Sequence, residues 1–164
     1  GHILQSRFNR GVADLQQRYS SGYGEGWAIY AETLADEIGA FEGDAPARIG
    51  YLQWMMFRLA RIVGDTGMHV MRWSRERTIE QMYELQGESI SFVSIEDDVT
   101  RFAAQPGASA AQGLAAMHLF ELRERTRRAA GARFTLTAFH DAALRAGPLS
   151  PPGLEQAMRT AFDL

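Results

Sequence analysis

Apolar residues recur along the chain at helical spacing, and glycines, prolines and short polar clusters divide them into segments. From His2 to about Tyr19, Ile3, Leu4, Phe8, Val12 and Leu15 form the first stripe. Ser20, Ser21, Gly22 and Gly24 interrupt it. From about Glu25 to Ile38, Trp27, Tyr30, Ala31, Leu34 and Ile38 share one face. Phe41 to Ala45 reads as a loop, and Pro46 sits where helices commonly begin. Between Pro46 and Val63 the pattern puts Ile49, Leu52, Met56, Leu59 and Val63 on one side. After Gly64, Asp65 can cap a further helical stretch, and Ser74 can cap one that covers Thr78, Ile79, Met82 and Leu85. Ser91 to Ala104 and Ser109 to Ala129 read as helices separated by Pro106 and Gly107, with Gly131 as a C-terminal stop. Thr135 opens another helix, ending before Gly147 and Pro148. Ser150 with Pro151 is a cap and first-turn proline for the last. The one β-like run, Ser89 to Ile95, is short and isolated. No repeat or linker appears, so the pattern predicts a single all-α domain over 1–164.

Composition narrows the chemistry. The 164 residues are 46% hydrophobic, with 17 basic against 20 acidic side chains and a net charge of −3. That balance gives no basic bias toward nucleic acid. Every base is arginine, which excludes a Schiff-base lysine and a Walker-type phosphate loop within this stretch. Cysteine is absent, which excludes disulfides, thiolate metal sites and cysteine nucleophiles, and leaves the redox compartment unreadable. No apolar run approaches the ~20 residues of a membrane span. Glycine rather than methionine stands first, so the beginning does not read as a native start, and localisation is not legible.

Chemistry therefore falls to His2, His69, His118, His140, the acids and the hydroxyls. The most unusual string is Ser20 to Glu32, SSGYGEGWAIYAE, in which Glu25 is flanked by two glycines and Glu32 follows two turns later on the same face. The glycines leave room for a ligand or another helix; equally, Glu25 can be an acid favoured by a helix N-terminus, with Glu32 solvated. In RIVGDTGMHVMRW (Arg61 to Trp73), Asp65 and His69 are four apart. The carboxylate could orient the imidazole to stabilise an oxyanion, or Asp65 could be a cap and His69 a packing residue. Arg101, just before Pro106–Gly107, could hold a carboxylate in a fork or make a structural ion pair. ELRERTRR (Glu121 to Arg128) reads as a solvated helix face. His140 and His118 both sit in apolar patterns that read as packing. No Glu-x-x-His pair occurs, which disfavours a carboxylate-bridged di-metal bundle.

At these strings the chain resembles a bacterial family, the domain of unknown function 885, which is grouped with gluzincin-type zinc metallopeptidases. GHILQ (Gly1 to Gln5) resembles the end of the family's HExxPGHHLQ. EGWAIYAE (Glu25 to Glu32) resembles EGWALYAE, RIVGDTGMHVMRW resembles RLVVDTGLHxxGW, and FHDAALRAGPL (Phe139 to Leu149) resembles FHDxxLxxGxxPL. The four matches occur in order and span nearly the whole chain. The resemblance implies the C-terminal part of a longer, zincin-like helical protein, cut just after the first histidine and the general-base glutamate. It further implies zinc held by His2 and Glu25 together with a histidine upstream of Gly1. It departs after Arg101, where the family's RYxxxPGQALAYKxG is RFAAQPGASAAQG. Ala108, Gln112 and Gly113 here replace a glutamine, a tyrosine and a lysine.

The expectation is thus a zinc-dependent hydrolase of peptides or small amides, completed by the N-terminal remainder of its own chain. Metal binding falls to His2 and Glu25, oxyanion stabilisation to His69 oriented by Asp65, and substrate-carboxylate contact to Arg101. The alternative is a non-catalytic helical scaffold or binding member with the same fold. The helices beginning near His2 and Glu25 should pack side by side, and His69 should reach the cleft of Glu25.

Overall fold

A computed structural model describes residues 1–10, 20–87, 94–145 and 147–164. They form α1 (His2–Phe8), α2 (Ser21–Glu37), α3 (Ala45–His69), α4 (Arg75–Gln86), α5 (Ile95–Ala104), α6 (Ala108–Ala130), α7 (Leu136–Arg145) and α8 (Pro151–Phe162), with a 3₁₀ turn at Gly131–Arg133. Among the described residues there is no strand, so the fold is all-α as the periodicity predicts. The later part of the first predicted stretch, 11–19, lies outside the described residues, as does most of the β-like run. The end of that run belongs to a helix, with Ser94 capping α5 and Ile95 opening it. No helix among the described residues is long and apolar enough to cross a membrane.

The local signals work as their chemistry requires. Ser74, Ser94 and Ser150 each accept a hydrogen bond from a backbone N–H in the first turn of the following helix, which satisfies donors that the helix itself cannot. Asp44 does the same for α3, accepting from Ala47 N at 3.0 Å. Gly131 adopts φ +56° beyond the end of α6, a backbone region that costs glycine little.

The chain divides into two compact units, Gly1–Ala31 with Leu114–Leu164, and Glu32–Gly113. In the first, α7 packs on α8 and on α1. The core gathers Trp27, Tyr30, Leu122, Phe139, Met158 and Phe162. The fully buried Tyr30 places its hydroxyl 2.8 Å from His140 Nε2 and accepts from Arg123 Nη1 at 3.4 Å. Trp27 meets the His140 ring edge-on. His140 is therefore a packed residue, in keeping with the apolar pattern around it.

In the second unit α3 packs on α4 and α5 around Phe57, Met82, Val99 and Phe102. Two features differ from the sequence pattern. First, Asp65 caps no stretch of its own helix: α3 runs unbroken through Gly64 and Gly67 to His69. Interior glycine costs a helix about 1 kcal/mol, and here close packing accounts for it. A Cβ at 64 would press on Met82 and Phe102 at 3.0 Å, and one at 67 would overlap the Trp73 indole. Second, the apolar stripe of α3 faces outward. Ile49, Leu52, Met56, Leu59 and Val63 are all exposed, whereas Phe57, Ala60, Gly64, Asp65 and Gly67 form the buried face.

Candidate functional site

In the first unit, α1 lies along the start of α2. Gln5 Nε2 donates to Tyr23 O at 3.3 Å, and Trp27 Nε1 donates to Gly1 O at 3.3 Å. These two bonds fix the register of α1, and it is this register that brings the two predicted metal ligands together: His2 Nε2 stands 3.5 Å from Glu25 Oε1. Glu25 lies a turn inside α2 rather than at its first residue, because the helix begins at Ser21. Gly26 beside it permits close approach of α6, since a Cβ there would sit 3.2 Å from the backbone of Ala115 and Ala116. His2 and Glu25 line a cleft of about 390 Å³ with Gln5, Ser6, Asn9, Tyr23 and Pro148. Burial raises the Tyr23 hydroxyl pKa, and Gln5 and Asn9 beside it offset part of that rise. Sequence reasoning missed Gln5 and Tyr23. Helical spacing carried a signal for Gln5, one turn from His2, but not for Tyr23, which stands two residues before Glu25 on the same helix.

Two ligands of a tetrahedral zinc, each about 2.0–2.2 Å from the ion, stand roughly 3.3–3.5 Å apart. The His2–Glu25 separation and their N/O donor set fit that edge. A catalytic zinc takes three protein ligands, and among the described residues no group of three or more His, Asp or Glu side chains could hold a metal. A site of that kind would need one protein ligand more than this pair supplies.

In the second unit Asp65 is 1% exposed and accepts three backbone N–H groups. Its Oδ1 takes Gly107 N at 2.9 Å; Oδ2 takes Ser109 N at 2.9 Å and Ala110 N at 3.0 Å. It caps α6 from a distance. His69 Nε2 is 3.7 Å from Asp65 Oδ1 but 2.9 Å from the Phe102 carbonyl. A carbonyl only accepts, so Nε2 carries the proton, and Phe102 fixes the ring more directly than Asp65 does. Arg101 pairs with the fully buried Asp98, which also receives Arg61 Nε at 2.7 Å. Burial and then the neighbouring Arg61 charge pull the Arg101 guanidinium below its ordinary range. Glu32, the second acid of the glycine-rich string, pairs with Arg58 at 2.8 Å. Gln112 accepts from Arg61 Nη1 at 3.5 Å, and a Cβ at Gly113 would overlap Ile62. Two of the three departures after Arg101, Gln112 and Gly113, are therefore fitted to this packing.

Fold and site together define an all-α protein whose most distinctive feature is a histidine–glutamate pair in a small polar cleft. The chain belongs to the DUF885 family, bacterial proteins of unknown function, whose family model matches residues 1–158. Among solved structures it is similar to a candidate lipoprotein from Colwellia psychrerythraea, at 34% identity and a TM-score of 0.81. That match covers 87% of this chain but 24% of the Colwellia chain. No curated protein matches the chain.

Proposed function

We propose that the chain is the C-terminal part of a gluzincin-like, zinc-dependent hydrolase that acts on peptides or small amides. The observation that carries this reading is the 3.5 Å approach of His2 Nε2 to Glu25 Oε1 in the polar cleft. His2 and Glu25 would hold the ion, with a further histidine and the general-base glutamate contributed by polypeptide upstream of Gly1. A zinc ion bound there supplies Lewis-acid polarisation of a carbonyl and activation of water. The chain's own residues prepare the site. Gln5 and Trp27 anchor α1, so that His2 presents Nε2 toward Glu25. In the second unit, His69, held through Phe102, is the residue proposed for oxyanion stabilisation. Asp65 is a positioning residue that fixes the start of α6, and Arg101, half exposed while it pairs with Asp98, is the residue proposed to meet a substrate carboxylate with its remaining donors.

Zinc titration tests the reading. The 164-residue chain should bind zinc weakly and hydrolyse nothing, because a third ligand and a proton acceptor are missing. A version extended upstream through the histidine–glutamate pair should bind one zinc per chain and lose it on Glu25→Ala. Tight binding by the shorter chain would mean that the ligands are wrongly chosen. No binding by the extended one favours the scaffold reading, which Gln112 and Gly113 in place of the family's tyrosine and lysine also support.

A further inference from the structure

We propose that Tyr30 and His140 are positioning residues for the metal pair: they hold Trp27, and through it the start of α1, so that His2 faces Glu25. The consequence for zinc rests on the proposed function, whereas the geometry does not. Gly1, Trp27, Tyr30 and His140 come from three of the four motif strings and lie in the first unit, where one chain of contacts joins them. His140 Nε2 is 2.8 Å from the Tyr30 hydroxyl, across 110 residues of sequence. The His140 ring meets Trp27 edge-on with centroids 5.6 Å apart. Tyr30 reaches the same indole from one turn along α2, at 5.5 Å. Trp27 Nε1 then donates to Gly1 O at 3.3 Å, and Gly1 is the residue before His2.

Packing alone does not call for these groups. The core around them is Leu119, Leu122, Phe139, Met158 and Phe162, and a phenylalanine would fill the place of Tyr30 without burying a hydroxyl. A buried hydroxyl destabilises unless it is bonded. This one is bonded to His140 and, at 3.4 Å, to Arg123, whose guanidinium also lies over the Tyr30 ring at 5.6 Å. Directional bonds of this kind select one arrangement where apolar contacts tolerate several. The first helix needs such a device. At seven residues α1 is too short to be stable by itself, and it is held to α2 by bonds of 3.3 Å at Gly1 and Gln5. Its far end also meets α7, where the Arg145 guanidinium lies over the Phe8 ring at 5.7 Å. Residues that orient a metal ligand without touching the metal change affinity about 10–100-fold when removed. Acting through Trp27, Tyr30 and His140 belong at the low end of that range.

Tyr30→Phe removes the hydroxyl and keeps the ring. In the chain extended upstream through the histidine–glutamate pair, this variant is compared with its parent by zinc titration and by NMR exchange of the Trp27 indole N–H. The indole should exchange about fivefold faster than the change in global stability accounts for, as the loss of one hydrogen bond implies. Zinc affinity should fall about tenfold. His140→Leu should repeat both losses, and His140→Gln, whose amide keeps an acceptor for the hydroxyl, should restore most of them. Phe162→Leu is the control: it loosens the same core at the Phe134 stack, and should lower the melting temperature while zinc affinity and local indole exchange stay at the parent's values. An unmoved Trp27 indole in Tyr30→Phe overturns the proposal, as does a Phe162→Leu variant that changes both readouts equally. Faster indole exchange with unchanged zinc affinity also overturns it, because the start of α1 would then not govern His2. If the extended parent takes no zinc, the metal reading fails, and the positioning of α1 stands or falls on the indole exchange. Should Tyr30→Phe not fold, the two His140 variants give the same decision.

Discussion

Replacing Asp65 by alanine isolates what a buried carboxylate does for a helix that is remote in sequence. The side chain is 1% exposed and accepts from Gly107, Ser109 and Ala110 at 2.9–3.0 Å, across 42 to 45 residues of sequence. Hydrogen bonds to a charged group contribute about 1.5–3 kcal/mol each, and bonds that share one acceptor do not add fully. Removing the acceptor also strands three N–H donors at the start of α6, with little water to take its place. The net loss is therefore about 3–5 kcal/mol, in the range reserved for broken buried networks. Asp44→Ala is the internal comparison: it deletes one exposed capping bond, Ala47 N to Oδ1 at 3.0 Å, and should cost about 1 kcal/mol. Urea unfolding of the two variants in parallel gives both figures, and hydrogen exchange reports the locus. In Asp65→Ala the amides of Gly107, Ser109 and Ala110 should exchange faster beyond the global effect, while those in the middle of α3 should speed up only as far as the loss of global stability dictates. If Asp65→Ala lost no more than Asp44→Ala, the long-range cap would contribute nothing beyond an ordinary one, and the reasoning would be refuted.

Glycine substitutions should diverge in sign. Gly26→Ala places a Cβ 3.2 Å from the backbone of Ala115 and Ala116, which cannot yield as a side-chain tip can, and should cost about 1–3 kcal/mol by overpacking. Gly50→Ala meets nothing within 4 Å and should stabilise by about 0.5–1 kcal/mol through helix propensity; thermal melts of both decide it. On the surface, Arg125 Nη2 donates to Glu155 Oε1 at 2.8 Å, and this bond holds the Glu155 carboxyl below its ordinary pKa. Because the folded-state value is the lower one, the pair's contribution is present above the unfolded carboxylate pKa and fades as pH falls through the folded one. Arg125→Gln should raise the Glu155 titration midpoint measured by NMR, and the stability difference between variant and parent should vanish in acid.

Local chemistry is what the sequence by itself determined. Ser74, Ser150 and Gly131 end or begin helices because capping depends on a side chain and the three or four residues beside it, all visible in a string. The helix content follows from 3.6-residue periodicity, and the pairing of His2 with Glu25 could be anticipated because the two strings recur together as motifs. Three matters were decided only by tertiary structure. The regular stripe of α3 shows which residues are apolar without saying what they face, and α4 and α5 pack on the adjacent face, with Met82 and Phe102 against Gly64. Asp65 looked like a local cap, yet its carboxylate serves N–H groups 42 to 45 residues away; nothing in the intervening sequence encodes that distance. For Arg101 the sequence allowed either a substrate-carboxylate fork or a structural ion pair, and it is the fold that buries Asp98 between it and Arg61. Burial is a property of the assembled chain, and it fixes the partner each charged group must take, because an unpaired charge out of water costs more than any local preference can repay.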